Sequence, residues 1–335
     1  MMSSAAGTVA RWLAPFFAIA AIAAVAGLGL PVVPTPQVRL ASEANPLAGR
    51  PFYVDPISKA MRAAQASPGN PQLDYVANTP QAYWLDQAFP ASTVSGTVSK
   101  LVGAAQGAGA TPVLAIYALP HRDCYSFAAG GFGSGDSYRQ WIDAISAGLG
   151  GAPAAIILEP DALAMADCLS GDQRQERFDL IRYAVDTLTR DPAAAVYVDA
   201  GHSRWVDAGE MANRLNQVGI ERARGFSLNT TNYFTTEEQI GYGEAISGMT
   251  NGAHYVIDTS RNGNGPAPDS PLSWCNPPGR ALGVPPTTAT ANPKIDAYLW
   301  VKRVGESDGS CDRGEPSAGT FVNQYAIDLA RNAGK

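Results

Sequence analysis

Short apolar runs that end in polar or aromatic residues recur along the chain, and each one predicts a buried strand. The most continuous run is Ile156–Leu158, which leads directly into Glu159, Pro160 and Asp161. A strand that is apolar at every position is typical of a parallel sheet covered by helices on both faces. Pro160 has no amide donor and a fixed φ, so the strand cannot continue unchanged past Glu159. Asp161 is therefore predicted to follow the carboxyl end of a strand, where α/β folds carry catalytic groups; capping of the next helix is the alternative.

Strand-like and helix-like segments alternate over most of the chain. The other predicted strands are Phe52–Asp55, Ala82–Asp86, Pro112–Tyr117, Ala195–His202, Gly225–Asn229, His254–Asp258 and Ala297–Lys302. The predicted helices are Val94–Ala108, Ser137–Leu149, Gln173–Arg190, Ala208–Val218 and Phe321–Asn332. This alternation predicts βαβ units and a parallel sheet, and roughly seven or eight units favour a closed or partly open barrel. An open doubly wound sheet is the competing fold, but no GxGxxG motif follows the first strand.

The N-terminus carries a targeting pattern. Arg11 precedes Trp12–Leu30, an uncharged and mostly apolar run that is then broken by three prolines. The pattern predicts a secretory signal peptide over residues 1–30, with an uncleaved anchor as the alternative. The chain is expected to be exported in either case, and residues 12–30 are its only predicted membrane tether. A linker rich in Pro and Ala is predicted over residues 31–49, and a folded domain over residues 50–335.

Export changes the interpretation of the four cysteines, Cys124, Cys168, Cys275 and Cys311. An even number of cysteines in an oxidising compartment favours two disulfides. Three pairings are possible, and pairing of sequence neighbours is the simplest. No CxxC spacing supports a metal site, so no metal and no cofactor are expected.

Composition indicates a globular protein and argues against some partners. The chain has 335 residues, 46% of them hydrophobic, and a net charge of −6 without basic clusters. This composition supplies a large core and argues against a nucleic-acid or anionic-membrane partner. No feature implies a stable protein partner.

Acidic and aromatic residues recur at the predicted strand ends. The acids are Asp123, Glu159, Asp161, Asp199, Asp258, Glu306 and Asp308, and the aromatic residues are Trp84, Tyr117, Trp205, Trp274 and Trp300. If these strand ends share one face, they form a cleft with carboxylates on its floor and flat rings on its walls. Such rings stack on sugars, and paired carboxylates can divide acid and base work across a glycosidic bond. Each residue taken alone has a structural alternative, as a loop cap or as core.

Several ordered motifs resemble glycoside hydrolase family 6, the inverting β-1,4-glucanases. They are Tyr117 with Arg122–Cys124, Leu158–Asp161, Asp199–His202 with Trp205, Asn229 with Asn232–Tyr233, Trp274–Asn276, and Trp300–Lys302 with Glu306–Asp308. The resemblance runs from about Phe52 to the C-terminus. It implies a distorted, TIM-like α/β barrel with one strand missing and an active site at the strand carboxyl ends.

The resemblance also implies roles for individual residues. Asp161 would be the general acid, and Asp123 would keep the pKa of Asp161 raised and steady positive charge on the sugar. Asp308 would be the candidate base, acting on water directly or through a second water. The substrate would be a β-1,4-glucan or cello-oligosaccharide held by Trp84, Asp86, Tyr117, Asp199, His202, Trp205, Asn229, Asn232, Trp274, Lys302 and Glu306. The disulfides would be Cys124–Cys168 and Cys275–Cys311.

Two further features shape the expected activity. Ala128 stands where relatives often have a serine that helps to hold the hydrolytic water, so turnover is expected to be lower than is typical. The short, Pro-rich stretch Asn276–Ala297 contains no large insertion, which favours an open cleft and endo cleavage over a cellobiohydrolase tunnel. The alternatives are a glucan-binding protein without turnover and a metal-dependent deacetylase of exported polysaccharide.

Overall fold

The computed structural model describes residues 44–335, apart from the side chain of Tyr125, and builds them around a seven-stranded parallel sheet. The strands are β1 Tyr83–Leu85, β2 Val113–Ile116, β3 Ala154–Leu158, β4 Ala194–Asp199, β5 Gly225–Leu228, β6 His254–Asp258 and β7 Ile295–Leu299. The helices are α1 Lys59–Ala66, α2 Pro71–Ala77, α3 Ala91–Gly107, α4 Gly135–Leu149, α5 Gly171–Leu188, α6 Ala208–Gln217, α7 Thr236–Met249 and α8 Asn323–Asn332. The strands lie in sequence order from β1 to β7, and every neighbouring pair is parallel. The predicted parallel α/β fold is confirmed.

Alternate side chains of each strand enter two separate cores. Ile156 and Leu158 pack outward against the helices, whereas Ala155 and Ile157 pack inward with residues of β2, β4 and β7. Period-two alternation on a buried strand requires an apolar residue at every position, which is why the predicted runs were continuously hydrophobic. The inner core is the filled interior of a curled sheet.

The sheet does not close between its two edge strands. The Ala82 amide donates to the Trp300 carbonyl at 2.9 Å, and the Trp84 indole donates to the Val301 carbonyl at 2.8 Å. Trp300 is buried in a third core with residues of α1, α2 and α8, which covers this gap. Because these two hydrogen bonds cross the gap, the loops that follow β1 and β7 lie next to each other.

The strand predicted at Ala297–Lys302 was placed too far toward the C-terminus. β7 begins at Ile295 and ends at Leu299, because the Asp258 carboxylate accepts the amides of Val301 and Lys302 and draws the chain out of the sheet. The predicted strand Phe52–Asp55 is reduced to a single bridge between Phe52 and Thr111.

The N-terminal segments are only partly described. The signal peptide or anchor predicted over residues 1–30 and the linker over residues 31–43 lie outside the described residues. Within the described part, Leu47 is buried and the Asn45 amide donates to the Asp296 carbonyl at 2.6 Å, so the end of the predicted linker packs on the barrel. Residues 44–335 contain no helix long and apolar enough to cross a membrane.

Candidate active site

The loops at the strand carboxyl ends adopt an unusual backbone. Glu159 and Asp161 after β3 have φ of +52° and +67°, and Asp123 after β2 has φ of +58°. Thr231 after β5 has φ of +64°. Non-glycine residues in this region cost free energy and cluster at functional sites, where the surrounding structure fixes them. The sequence signal at Glu159-Pro160-Asp161 therefore corresponds to a backbone that turns sharply out of the sheet.

A cavity of about 300 Å³ lies among these loops. It brings together nine of the predicted site residues, namely Trp84, Asp86, Tyr117, Asp123, Asp161, Trp274, Lys302, Glu306 and Asp308. It is also lined by Arg122, Phe127, Ala128, Thr231 and Arg303. Acids from the loops after β2, β3 and β7 thus share one cavity, as expected of parallel strands whose carboxyl ends meet at one edge.

The surroundings of Asp161 favour the protonated form of its carboxyl group. Its Oδ1 is buried without a hydrogen-bond partner among the described residues. Burial raises its pKa well above the ordinary value, and the nearby carboxylates of Asp199 and Asp123 raise it further, against the opposing charge of Lys302. A carboxyl group held in this way carries a proton that it can donate.

Asp199 is fully buried beneath Asp161 and does not reach the cavity. Its Oδ1 accepts the amides of Asp161 and Gly201 at 2.9 and 3.0 Å, and its Oδ2 accepts the Ser227 hydroxyl at 2.8 Å. Burial raises its pKa to about 6. The direct substrate contact expected of Asp199 is not available, because the protein itself occupies its carboxylate.

Asp123 is fixed by the turn that follows it. Its Oδ2 accepts the Ala128 amide at 2.7 Å, and Cys124 is joined to Cys168. Burial raises the pKa of Asp123, and the Ala128 amide opposes that effect. The alanine at position 128 therefore contributes its backbone to the site, and the Ser126 side chain also lowers the pKa of Asp123.

Asp308 is held as a carboxylate by two cations. Arg261 Nη1 lies 2.9 Å from its Oδ2, and Lys302 Nζ lies 2.7 Å from its Oδ1. The Tyr233 hydroxyl and the Asn276 amide also donate to Oδ2, at 3.1 and 3.0 Å. Although burial opposes them, these partners hold the pKa of Asp308 far below its ordinary value. The cavity therefore contains one group held protonated and one held ionised.

Aromatic rings form the walls of the cavity. The rings of Trp84 and Tyr117 meet edge to face with centroids 5.3 Å apart, and the Arg122 guanidinium lies 4.4 Å from the Tyr117 centroid. Trp274 is 41% exposed and packs against Phe127. Flat, partly exposed rings beside carboxylates are suited to the alternating apolar and hydroxylated surfaces of sugars.

A second aromatic group lies outside this cavity, among the loops after β4 and β5. The His202 ring packs against the rings of Trp205 and Phe234, with centroids 5.2 and 4.2 Å away. Burial lowers the pKa of His202 to about 4, so the ring is neutral near pH 7. Trp205 is 40% exposed and is available to a ligand that extends beyond the cavity.

The two predicted asparagines do not line the cavity. Asn229 is fully buried, and its amide donates to the carbonyls of Phe234 and Asp258, at 3.1 and 3.0 Å. Asn232 donates to the Thr230 carbonyl at 3.0 Å. Both side chains order the loop after β5. Within residues 44–335, no group of three or more His, Cys, Asp or Glu side chains is arranged to hold a metal ion.

Comparison with known proteins identifies the family. The model of "Glycosyl hydrolases family 6" matches residues 43–333. The chain belongs to glycosyl hydrolase family 6. Endoglucanase A of Cellulomonas fimi is 46% identical over 84% of this chain and 61% of that protein, so the chain spans about three fifths of that relative. Endoglucanase 1 of Streptomyces halstedii is 38% identical over 92% of this chain and 96% of that protein.

Solved structures of family 6 share the fold. The endoglucanase Cel6 from Mycobacterium tuberculosis, solved with methyl-cellobiosyl-4-deoxy-4-thio-β-D-cellobioside, is 74% identical with a TM-score of 0.86. That comparison covers 87% of this chain and all of that chain. Endoglucanase CEL6B from Humicola insolens is 24% identical with a TM-score of 0.73, over 86% of this chain and 98% of that chain, and shows the fold alone.

The sequence did not predict how two buried residues of this family 6 chain, Glu159 and Arg261, support the site. Glu159 is fully buried, and its carboxylate accepts the amides of Ala118 and Leu119 at 3.1 and 3.2 Å, which ties the loop of Asp161 to the loop of Asp123. Arg261 pairs with Asp308 although no motif singled it out. A charged residue three positions after the buried strand β6 was the available signal for Arg261, since such residues need a partner.

Proposed function

We propose that this family 6 chain is an endo-acting β-1,4-glucanase that hydrolyses glycosidic bonds with inversion. The observation that carries the proposal is Asp161, a carboxyl group with a raised pKa in the cavity that it shares with Asp123 and the ionised Asp308. An inverting glycosidase needs a protonated acid at the leaving oxygen and a water molecule on the opposite face of the sugar.

In the proposed reaction, Asp161 donates its proton to the glycosidic oxygen as the bond from that oxygen to the anomeric carbon breaks. Positive charge develops on the sugar ring, and the anions Asp123 and Asp308 stabilise it. Water attacks the anomeric carbon from the opposite face and loses one proton, so the new hydroxyl has the inverted configuration. Asp161 regains a proton from solvent at the end of the cycle.

Asp308 is the candidate base. Its oxygens already accept from two cations and two neutral donors, and its pKa is depressed. A weakly basic carboxylate takes a proton poorly. We therefore favour loss of the water proton through a second water, with Asp308 orienting that water, over lasting protonation of Asp308.

Substrate would lie across the aromatic walls. Trp84, Tyr117 and Trp274 line the cavity, and Trp205 continues the surface beyond it. Endo action is supported by 38–46% identity to three curated endoglucanases, against 29–30% for curated probable cellobiohydrolases. We propose secretion because the chain forms two disulfides, Cys124–Cys168 and Cys275–Cys311, which persist in oxidising compartments.

The test is hydrolysis of carboxymethyl cellulose by the purified chain. Endo cleavage predicts a steep fall in viscosity for few reducing ends released, and proton NMR should show the α-anomer first in the product. Release of reducing ends without a fall in viscosity would support the cellobiohydrolase alternative. Binding of cello-oligosaccharides with no hydrolysis would support the glucan-binding alternative. Release of acetate from an acetylated polysaccharide that a chelator abolishes, with no new reducing ends, would support the deacetylase alternative.

A further inference from the structure

A second recess lies beside the active-site cavity, next to β1 and to the segment that follows β7. It has a volume of about 390 Å³, within the range of small-molecule binding sites. It shares Trp84, Asp86, Arg303 and Glu306 with the active-site cavity, so the two spaces adjoin. We call this space the edge recess; Val54–Arg62 of the loop and start of α1 form much of its other wall.

The edge recess presents an exposed apolar side chain. Large exposed apolar residues among the described positions are Ile57, Trp205, Met249, Trp274 and Val284, and Ile57 is the most exposed of them at 69%. Tyr83 and Phe89 add two half-buried rings with centroids 6.0 Å apart. Ile57, Tyr83 and Phe89 line the same recess, and an apolar patch of this kind beside a cleft marks a surface that a ligand can cover.

Polar groups are interleaved with this apolar surface. Lys59 Nζ lies 3.0 Å from Glu306 Oε1, and Arg303 Nη2 lies 2.8 Å from Glu306 Oε2. Glu306 itself is buried, so these two cations neutralise its charge at the junction of the two spaces. Asp55 and Ser58 also line the recess, where their side chains can form hydrogen bonds with sugar hydroxyls. Apolar patches alternating with hydrogen-bonding groups match the faces and edges of a glucose ring.

We propose that the edge recess binds further glucose residues of the glucan chain whose scissile bond lies at Asp161. This inference rests on the proposed function and adds to it a preference for longer chains. Its occupant is the same chain rather than a separate ligand, because the two spaces share Trp84 and Asp86 where they adjoin.

The experiment compares cellohexaose with cellotetraose for the wild type and two variants of Ile57. Ile57→Ser removes the apolar surface and should lower the ratio of kcat/KM for cellohexaose over cellotetraose by about three- to tenfold. Ile57→Trp supplies a flat ring and should raise the same ratio. Val284→Ser is the matched control, since Val284 is 44% exposed and does not line the recess. It should leave the ratio unchanged.

The outcomes separate this inference from the proposed function. Wild-type hydrolysis of cellotetraose tests the proposed function alone. If the wild type is active and neither Ile57 variant changes the ratio, the edge recess is not a sugar site. If the wild type is inactive, calorimetry still decides the inference: cellohexaose should bind more tightly than cellotetraose, and Ile57→Ser should remove most of that difference. Equal affinities for the two sugars would overturn it.

Discussion

At the scale of single residues, the chemistry depends on how neighbouring carboxyl groups set the pKa of Asp161. Burial, Asp199 and Asp123 all raise that pKa, whereas Asp308 is kept ionised by Arg261 and Lys302. The acid and the anion therefore differ through their surroundings, although both are aspartates.

Asp199→Asn tests this arrangement through the pH dependence of the rate. Asp161 must be protonated to act, so the alkaline limb of kcat/KM reports its pKa. Removing the charge of Asp199 lowers the pKa of Asp161, and the alkaline limb should move to lower pH. Asp328→Asn, at an exposed position of α8, is the control and should leave the profile unchanged. An unmoved alkaline limb in Asp199→Asn would refute the coupling.

Glu159→Gln tests how the two acid-bearing loops are held together. The Glu159 carboxylate accepts two amides, and a glutamine would set its own donor against one of them. At pH 5 we expect a loss of about 1–3 kcal/mol in the free energy of unfolding and a fall in kcat that exceeds any rise in KM. Urea denaturation and steady-state kinetics measure both. Wild-type kcat in Glu159→Gln would mean that this contact does not position the acids.

The residue roles could be predicted from sequence only where a side chain reaches the cavity. Asp161, Asp123 and Asp308 were all placed at strand ends, and the structure brings them into one cavity. The buried roles of Asp199 and Glu159 could not be predicted, since a strand-end acid facing the cleft and one bonded to backbone beneath it look alike in sequence. Only the positions of the neighbouring amides distinguish them.

At the scale of elements, the loop before β7 is fastened to the loop after it. Cys275 is bonded to Cys311, Asn276 donates its amide to Asp308, and the Asn276 side chain accepts the Asp308 amide at 2.7 Å. The wall that carries Trp274 and the floor that carries Asp308 are therefore one linked unit.

Replacing both Cys275 and Cys311 by alanine should loosen that unit. The disulfide closes a sequence separation of 36 residues, and its loss should lower the free energy of unfolding by about 2–4 kcal/mol. We also expect a lower kcat at temperatures well below the melting temperature, because the hydrogen bonds between Asn276 and Asp308 would no longer be held in place by the disulfide. Thermal melting and kinetics at low temperature measure the two effects. A variant as stable and active as the wild type would contradict the assignment.

The sequence predicted helices and strands well where their hydrophobic pattern is regular. It failed where a contact with a residue distant in sequence ends the element. The face of α4 was predicted correctly, since Tyr138, Trp141, Ile142 and Ile145 are all buried. The predicted strand at β7 continued past Leu299 because the competing Asp258 carboxylate lies far away in sequence. Helices α1, α2 and α7 were missed; the Thr235–Glu238 capping box was the available signal for α7.

At the scale of the whole molecule, buried acids should make stability fall as the pH rises. Burial raises the pKa of Glu159 to about 7 and of Asp199 to about 6, from 4.5 and 3.8. Between those values the folded state binds more protons than the unfolded state, so folding is favoured at the acidic end. Asp308 acts in the opposite direction, and its stabilisation is lost only as the pH falls below about 4.

We therefore predict maximal stability near about pH 4–5 and a loss on the order of 5 kcal/mol between there and pH 7–8, to which the buried acids Glu159, Asp199 and Asp161 all contribute. Chemical denaturation across this range measures it. Glu159→Gln should weaken the dependence, because one of these titrating groups is gone. Stability that rises from pH 5 to pH 8 in the wild type would contradict the buried-acid assignment.

The measurement that tests the central assignment most directly is the leaving-group dependence of Asp161→Asn. Asparagine cannot donate a proton to the leaving oxygen, so kcat/KM on cellohexaose should fall by about 10²–10⁴-fold. A cellobioside with a dinitrophenolate leaving group needs no proton, and its hydrolysis should retain most of the wild-type rate, with the melting temperature unchanged or raised. Equal losses on both substrates, or full activity on cellohexaose, would show that Asp161 is not the general acid.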